Sequence, residues 1–470
     1  MVSNIFTAFA AQGIGFVVSI IMSLLVPKVL SVEQYGYWQL FIFYSSYSGF
    51  FLFGLCDGIY LLNGGKSRDE IDRRDINSQY AVGLVMQAVI AVVIVVLAAF
   101  TTSDENRFFV LVSFSLITVI TNISGILGLT FQAINETKLY SYSRMVDRLV
   151  FAVPLVVMVV LHVADFRCYV VTYLISMSAC CAYCVWHARD IIKAGLNTPR
   201  AGISSALCSM QVGYKLMFAT IADMLILGIC RFLVDSAWGI EAFANVSFSL
   251  SIVNFFITFV TQASMVLFPA LRQGSEAERR SFYRVIRDSM ELCFPVVYLL
   301  YFPMASILGW WLPQYSNSLI YFAFLLPICV FNTKMDVGCS TYFKVLRMEK
   351  TLLVVNLVTV AASSLLALVS VFVLQSLQFV LLGAVASIIG RSLYSERLLN
   401  RCLNCQGMKM AYEEVLLTAA FMFSALFIMS WLGFFLYLIC YFAYILLNQD
   451  CFKELIATFS RVFVKTNAIE

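Results

Sequence analysis

Charge is what this sequence has least of. Asp, Glu, Lys and Arg together make up 12% of its 470 residues, about half the share of a soluble domain, which excludes a chain solvated over its whole surface. Histidine is nearly absent: the two present, His162 and His187, stand in no Ser/His cluster. No paired carboxylates occur at a catalytic spacing, so the usual centres of hydrolytic chemistry are missing. Every predicted outer loop is short, leaving little room for an enzymatic domain on that side. A basic n-region and a small-residue cleavage site are lacking ahead of the first apolar run, so that run is expected to be a retained helix.

Hydrophobic residues fill the space that charge leaves, at 61%. Apolar runs of about 20 residues recur from end to end, the length that crosses a bilayer as helix. They lack the two-residue alternation of a membrane β-strand, and in hydrocarbon only helices and closed barrels satisfy the backbone. We therefore expect an all-α polytopic membrane protein of about 14 transmembrane helices. The predicted spans are 5–26, 38–62, 80–100, 108–132, 148–163, 168–186, 214–233, 238–270, 291–311, 317–338, 352–374, 378–396, 413–429 and 432–448. With the N-terminus inside, 27 of the 31 Lys and Arg fall in inside segments, leaving only Lys28, Arg107, Arg167 and Arg231 outside. That bias predicts cytoplasmic N- and C-termini.

Fourteen cysteines lie mostly in spans or on the side where thiols stay reduced, so no disulfide framework is expected. Cys402-Leu-Asn-Cys405 has no second pair, and Cys180, Cys181, Cys184 and His187 end one span at helical spacing; both read as packing rather than as a zinc site. Gly65-Lys66-Ser67 looks like the end of a phosphate-binding loop, but Tyr60 stands where that motif needs its first glycine.

Polar residues inside the apolar runs carry the functional reading, because a carboxylate at bilayer depth costs about 2.5–3.5 kcal/mol on insertion scales and faces protein or water rather than lipid. The stretch PKVLSVEQYGYWQ, then LFIFYSSYSGFFLFGL, then CDGIYLLNGGK, from Pro27 to Lys66, sets Ser45, Ser46, Gly49 and Asp57 on one helical face. Thr118, Asn122, Gly125 and Gln132 make a second stripe, and Ser247, Ser251, Asn254, Thr258 and Gln262 a third over four turns. Asn4 and Gln12 stand in the first span beside a small-residue stripe of Ala11, Gly15, Ser19 and Ser23. Asp223 falls near the middle of the seventh span, flanked eight residues away by Lys215 and Arg231. Residues 191–212, with Gly195, Pro199 and Gly202, read as a cytoplasmic linker between a six-helix lobe at 1–190 and a second at 213–400. Spans 13 and 14 occupy 411–448, and 449–470 form a cytoplasmic tail. Weak ordered matches at an offset of 203 residues, Tyr35-Gly36 onto Trp238-Gly239 among them, point to a parallel repeat.

This arrangement, with the Pro27–Lys66 corner and the turn QAINETKLYSYSRM at 132–145, resembles the bacterial polysaccharide-export flippases of the multidrug/oligosaccharidyl-lipid/polysaccharide (MOP) exporter superfamily. The resemblance implies two lobes forming a V-shaped central cavity and alternating access, in the bacterial inner membrane. Its implied cargo is an undecaprenyl-diphosphate-linked oligosaccharide moved between leaflets for surface polysaccharide, with polysaccharide assembly machinery as a possible partner and no nucleic acid. Relatives that flip such lipids often place several Arg in the first helices; here the first span has no basic residue at depth. Arg148, Lys215, Arg231 and Lys334 are taken instead as the headgroup cations. Gln12, Ser46, Asn122, Ser251, Asn254, Thr258 and Gln262 are taken as polar cavity lining. Asp57, Asp223 and Asp336 are the candidates for coupling to H⁺ or Na⁺, with no catalytic residue, metal site or other cofactor. A multidrug cation antiporter of the same superfamily is the alternative, and a membrane-embedded glycan polymerase or acyltransferase the reading from another class.

Overall fold

The computed structural model describes residues 13, 15, 18–264, 276–405, 407–428 and 431–453. Every element among them is helical, with no strand, as hydrocarbon requires of a backbone that must bond within its own segment. Nine helices among the described residues are long and apolar enough to cross a membrane, or ten when one bent pair is joined. The described part of each predicted span is mostly helix, with turns inside 38–62 at Tyr47, Phe53 and Gly54, inside 317–338 at Leu326, and at the ends of 148–163, 352–374 and 432–448.

Described residues up to Met224, with Ile240–Ala244, form one compact unit; Leu225–Gly239, with Asn245 onward, form the other. The first unit opens with α1 (Val18–Val29). Leu30 is extended, and Ser31 restarts the chain by accepting from the Gln34 amide at 3.2 Å. The next span is not one straight helix. It comprises α2 (Val32–Ser46), a 3₁₀ turn (Ser48–Leu52) and α3 (Leu55–Asn63), bent by 57°. Phe53 and Gly54 both lie in the left-handed region, φ 50° and 82°, where a side chain carries strain and glycine does not. α4 (Arg73–Thr101) and α5 (Glu105–Ala133) pack along each other, as do α6 (Thr137–Val160) and α7 (Phe166–His187). Asp72, Asp104 and Asp165 cap α4, α5 and α7 through their carboxylates. Buried Trp38 anchors the core, stacked on Phe151 and edge-on to Tyr173.

After the short α8 (Arg189–Ile192) comes α9 (Pro199–Ser264), interrupted at Gly239, φ 78° and ψ −174°. At 1.5 Å per residue α9 has length for two spans, and Gly239 divides it where the sequence places the boundary between spans seven and eight. Residues 191–212, expected as a polar linker, are largely ordered helix seated on the start of α4. Asn77 Nδ2 donates to the carbonyls of Ile192 and Gly195, both at 2.9 Å, the Asn197 amide donates to Ser78 Oγ at 2.9 Å, and Ser209 Oγ donates to Gln79 Oε1 at 2.7 Å.

The second unit continues with α10 (Glu276–Cys293), a 3₁₀ turn at Phe294–Leu300 and α11 (Tyr301–Trp311). α12 (Ser316–Leu325) and α13 (Pro327–Thr333) run into a π-helical turn, Lys334–Ser340, and α14 (Thr341–Val345). α15 (Glu349–Phe372) packs along α16 (Leu377–Cys402), and α17 (Lys409–Phe423) and α18 (Trp431–Leu447) complete the described chain. Pro295 and Pro327 mark two of the irregular turns, since proline withholds an amide from the helix ladder.

Candidate functional site

In the first unit the polar groups converge on the break between α2 and α3. Asn122, on α5, donates to the Ser48 carbonyl at 2.9 Å and to Gln87 Oε1 at 2.8 Å, and Gln87, on α4, donates to the Phe51 carbonyl at 2.7 Å. Both side chains are buried. They bond carbonyls of the 3₁₀ turn, which in hydrocarbon need a partner. Asn122, expected in the cavity lining, is thus engaged in holding a broken helix. The break also removes the shared face read for Ser46 and Asp57, since that spacing rule needs one continuous helix. Ser46 is exposed and donates to its own helix at the Phe43 carbonyl, 2.7 Å away. Asp57 is half-buried in the first turn of α3, where the amide ends of the helix favour negative charge.

Behind the break, backbone meets backbone. The space a β-carbon on Gly58 would take is filled by the Ser209 main chain, and that of Gly213 by the carbonyl of Gly54 and the amide of Gly58. Such approach needs residues without side chains.

The headgroup cations lie in four different settings. Arg148 is half-buried on α6, its guanidinium resting against Gly15 of the first span in the position a β-carbon would occupy. The neighbouring Asp147 is buried and accepts from Ser176 Oγ at 3.2 Å. Lys215 is exposed beside the Tyr214 ring, and Asp223 is exposed two turns further along α9. Arg231 donates to Ser247 Oγ at 2.9 Å, within the second unit.

Lys334 is enclosed. Its ammonium lies 2.7 Å from Glu291, 2.8 Å from Glu396 and 2.9 Å from Glu414, and all four side chains are at most 2% exposed. The ammonium donates to Glu291 Oε1 and Glu414 Oε2 and pairs with Glu396 by charge alone, so it is closed in by carboxylates that repel a diphosphate. Asp336, two residues on, is exposed.

Two residues beside the third polar stripe tie its helix to another. Asn245 Oδ1 accepts from Ser318 Oγ at 2.7 Å, and Ser249 Oγ donates to the Ser318 carbonyl at 2.8 Å, which joins α9 to α12. Ser251 and Thr258 are half-buried and donate to their own helix, at the Ser247 and Asn254 carbonyls, while Asn254 is exposed. Gln12 and the side chain of Gln262 lie outside the described residues.

Compared with solved structures, the chain is similar over nearly all its length to a lipid II flippase, MurJ, in an inward closed conformation: 12% identity, 96% of this chain and 99% of that chain, TM-score 0.60. A Vibrio cholerae MATE transporter, VcmN, matches at 13% identity over 87% of this chain and 97% of its own, TM-score 0.57. An inward-facing multidrug resistance MATE transporter of the MOP superfamily matches at 12% over 82% and 95%, TM-score 0.56. The fold is that of the MOP transporters. These neighbours are transporters rather than enzymes. No protein-family model matches the sequence, and no curated protein matches it.

Two constellations escape a linear reading of the MOP fold's residues here. Glu291, Glu396 and Glu414 stand at the ends of apolar runs, where a carboxylate reads as an interfacial anchor, and nothing local pairs them with Lys334. The last span reads as uniformly apolar, yet Tyr437, Tyr441 and Tyr444 donate to the carbonyls of Pro295, Leu292 and Glu291 at 2.9, 2.8 and 3.1 Å. Their spacing of four and three residues, on one helical face, was the available signal, and Pro295 its complement.

Proposed function

We propose that this protein moves an undecaprenyl-diphosphate-linked oligosaccharide from the cytoplasmic to the outer leaflet of the bacterial inner membrane by alternating access, coupled to H⁺ or Na⁺, for export of cell-surface polysaccharide. The observation that carries the reading is the end-to-end likeness to a lipid II flippase, 96% of one chain on 99% of the other, where the match to the two MATE transporters covers 82–87% of this chain. Arg148 adds to it: a guanidinium set against Gly15 brings a cation to a first span whose own sequence has none at depth. One such charge against one phosphate charge contributes ~4 kcal/mol of Coulomb attraction at an effective dielectric near 20, before desolvation. Arg148, Lys215 and Arg231 are the proposed diphosphate ligands, the exposed side of the Ser251–Thr258 stripe the sugar contacts, and Asp57, Asp223 and Asp336 the coupling carboxylates. The Lys and Arg distribution supports an orientation with both termini inside, and polysaccharide assembly machinery is the proposed partner.

Reconstitution in proteoliposomes tests this directly. Wild-type protein should transfer labelled undecaprenyl-diphosphate oligosaccharide to the leaflet accessible to added glycosidase, and Arg148→Ala should slow that transfer. Failure of the wild type with several glycan lengths would sink the reading. The second reading, a multidrug cation antiporter, is favoured by the likeness to MATE transporters and by Asp223, an exposed carboxylate within an apolar helix that suits a cationic drug. Drug resistance on expression, without glycan transfer, would select it.

A further inference from the structure

Three carboxylates and one ammonium share a dry space in the second unit, contributed by α10, the π-helical turn, α16 and α17. Carboxylate oxygens of Glu291, Glu396 and Glu414 stand 2.7, 2.8 and 2.9 Å from the one Lys334 nitrogen. The charges do not balance. Removing an uncompensated ion from water costs several kcal/mol even after relaxation, and carboxylates gathered on one nitrogen also repel one another, which disfavours ionising all three.

The surrounding cations lower the excess to one and do not remove it. Arg287 is paired with Asp288 at 2.7 Å, and Arg391 donates to Asn332 and Asn356 at 2.8 and 3.4 Å. Counting both arginines and Asp288, four carboxylates face three cations. Glu413, beside Glu414, is engaged by Lys409 at 3.5 Å, and the neighbouring Cys339, Tyr283, Tyr298, Tyr437 and Tyr444 are groups that carry no charge near neutral pH. Independently of this count, Glu414 Oε1 and both carboxylate oxygens of Glu396 are buried without a hydrogen-bond partner, Glu396 Oε2 facing Lys334 as an ion pair alone, and the buried Tyr283 hydroxyl beside Glu396 has none. An ionised carboxylate oxygen so placed is an acceptor with no donor; a protonated one becomes a donor itself.

We propose that the three glutamates around Lys334 form a proton-binding site of the second unit, holding an exchangeable proton shared among them. The proton removes the excess negative charge and lets Glu414, on α17, remain joined to the elements carrying Glu291, Lys334 and Glu396. Loss of the proton adds a buried charge and loosens that junction. The site goes beyond the transport reading and does not depend on the cargo.

The test is infrared spectroscopy of the full chain in nanodiscs, in Na⁺-free buffer, in H₂O and D₂O, with Glu291→Gln, Glu396→Gln and Glu414→Gln as variants and Glu70→Gln, in an exposed loop, as control. The expected result is a protonated-carboxyl stretch near neutral pH that shifts in D₂O, is lost or reduced in at least one cluster variant and persists in the control. On raising the pH the wild type should lose both the band and thermal stability, and the responsive variant should keep its stability. Among the described residues these three are the buried glutamates, so ¹³C-glutamate labelling of wild type assigns the band even where a variant fails to fold. Absence of a ¹³C-sensitive band overturns the proposal, as does a band equal in all folded variants. So does stabilisation by added Na⁺ without a band, which would make a metal cation the occupant. Failure of glycan transfer leaves these readouts unmoved, so the two proposals fail separately.

Discussion

At the scale of single residues, Asn122 and Gln87 show how polarity inside an apolar chain is used. Each bonds a carbonyl of the 3₁₀ turn and one bonds the other, so removing either leaves an acceptor without its donor. Asn122→Ala should lower stability by about 0.6–1.7 kcal/mol, the range of interhelical hydrogen bonds in membranes. The double variant with Gln87→Ala should cost less than the two singles together, because they form one network; thermal unfolding of the three proteins in one detergent checks both. Arg148 poses a different question. The atom filling the Gly15 β-carbon position is the far end of a flexible side chain, so Gly15→Ala should displace the guanidinium at a stability change within about 1 kcal/mol. If Arg148 holds diphosphate, glycan transfer should fall in Gly15→Ala and in Arg148→Ala alike. Unimpaired transfer in both, at normal protein level, removes Arg148 from the headgroup site.

At the scale of elements, the broken span α2–α3 and the opening of α9 depend on glycines whose neighbours are backbone. Backbone cannot swing aside as a guanidinium can. Gly58→Ala places a methyl group in the Ser209 main chain and should cost about 1–3 kcal/mol by overpacking, or prevent accumulation of folded protein. Gly125→Ala is the matched control: its nearest atom is Cys56 Sγ at 3.8 Å, an ordinary contact, so its effect should stay within about 0.5 kcal/mol. The seat of residues 191–198 on α4 is likewise testable. Asn77→Ala deletes both bonds from its side chain to that segment and should speed proteolytic cleavage there while the remaining helices stay intact; unchanged cleavage would show that the Ser78 bond to Asn197 suffices.

For the molecule as a whole, the proposed coupling carboxylates are tested by whether the proposed transfer is driven or passive. Asp223→Asn should abolish gradient-driven glycan transfer with protein level unchanged. Transfer at the wild-type rate would take Asp223 out of the mechanism and leave Asp57 and Asp336 as candidates.

The helical class and the membrane character of the chain could be read from the sequence because both follow from a local rule: hydrocarbon demands about 20 apolar residues per crossing and an internally bonded backbone. The expectation of a two-lobed MOP fold also stood in the sequence, in the order of its runs and in the corner from Pro27 to Lys66. Roles of individual polar residues did not, because the same Asn or Lys lines a cavity or closes a network according to what another helix, often far off in sequence, sets beside it. Ser46 and Asp57 share a face only on a straight helix, and the straightness was lost to a 3₁₀ turn stabilised from α4 and α5. Lys334 looks like a free cation among its neighbours in sequence; its three carboxylates come from positions 43, 62 and 80 residues away. Solvent preference is written residue by residue and so is legible in one dimension, whereas the balance of buried charge belongs to a group of helices and exists only once they have packed.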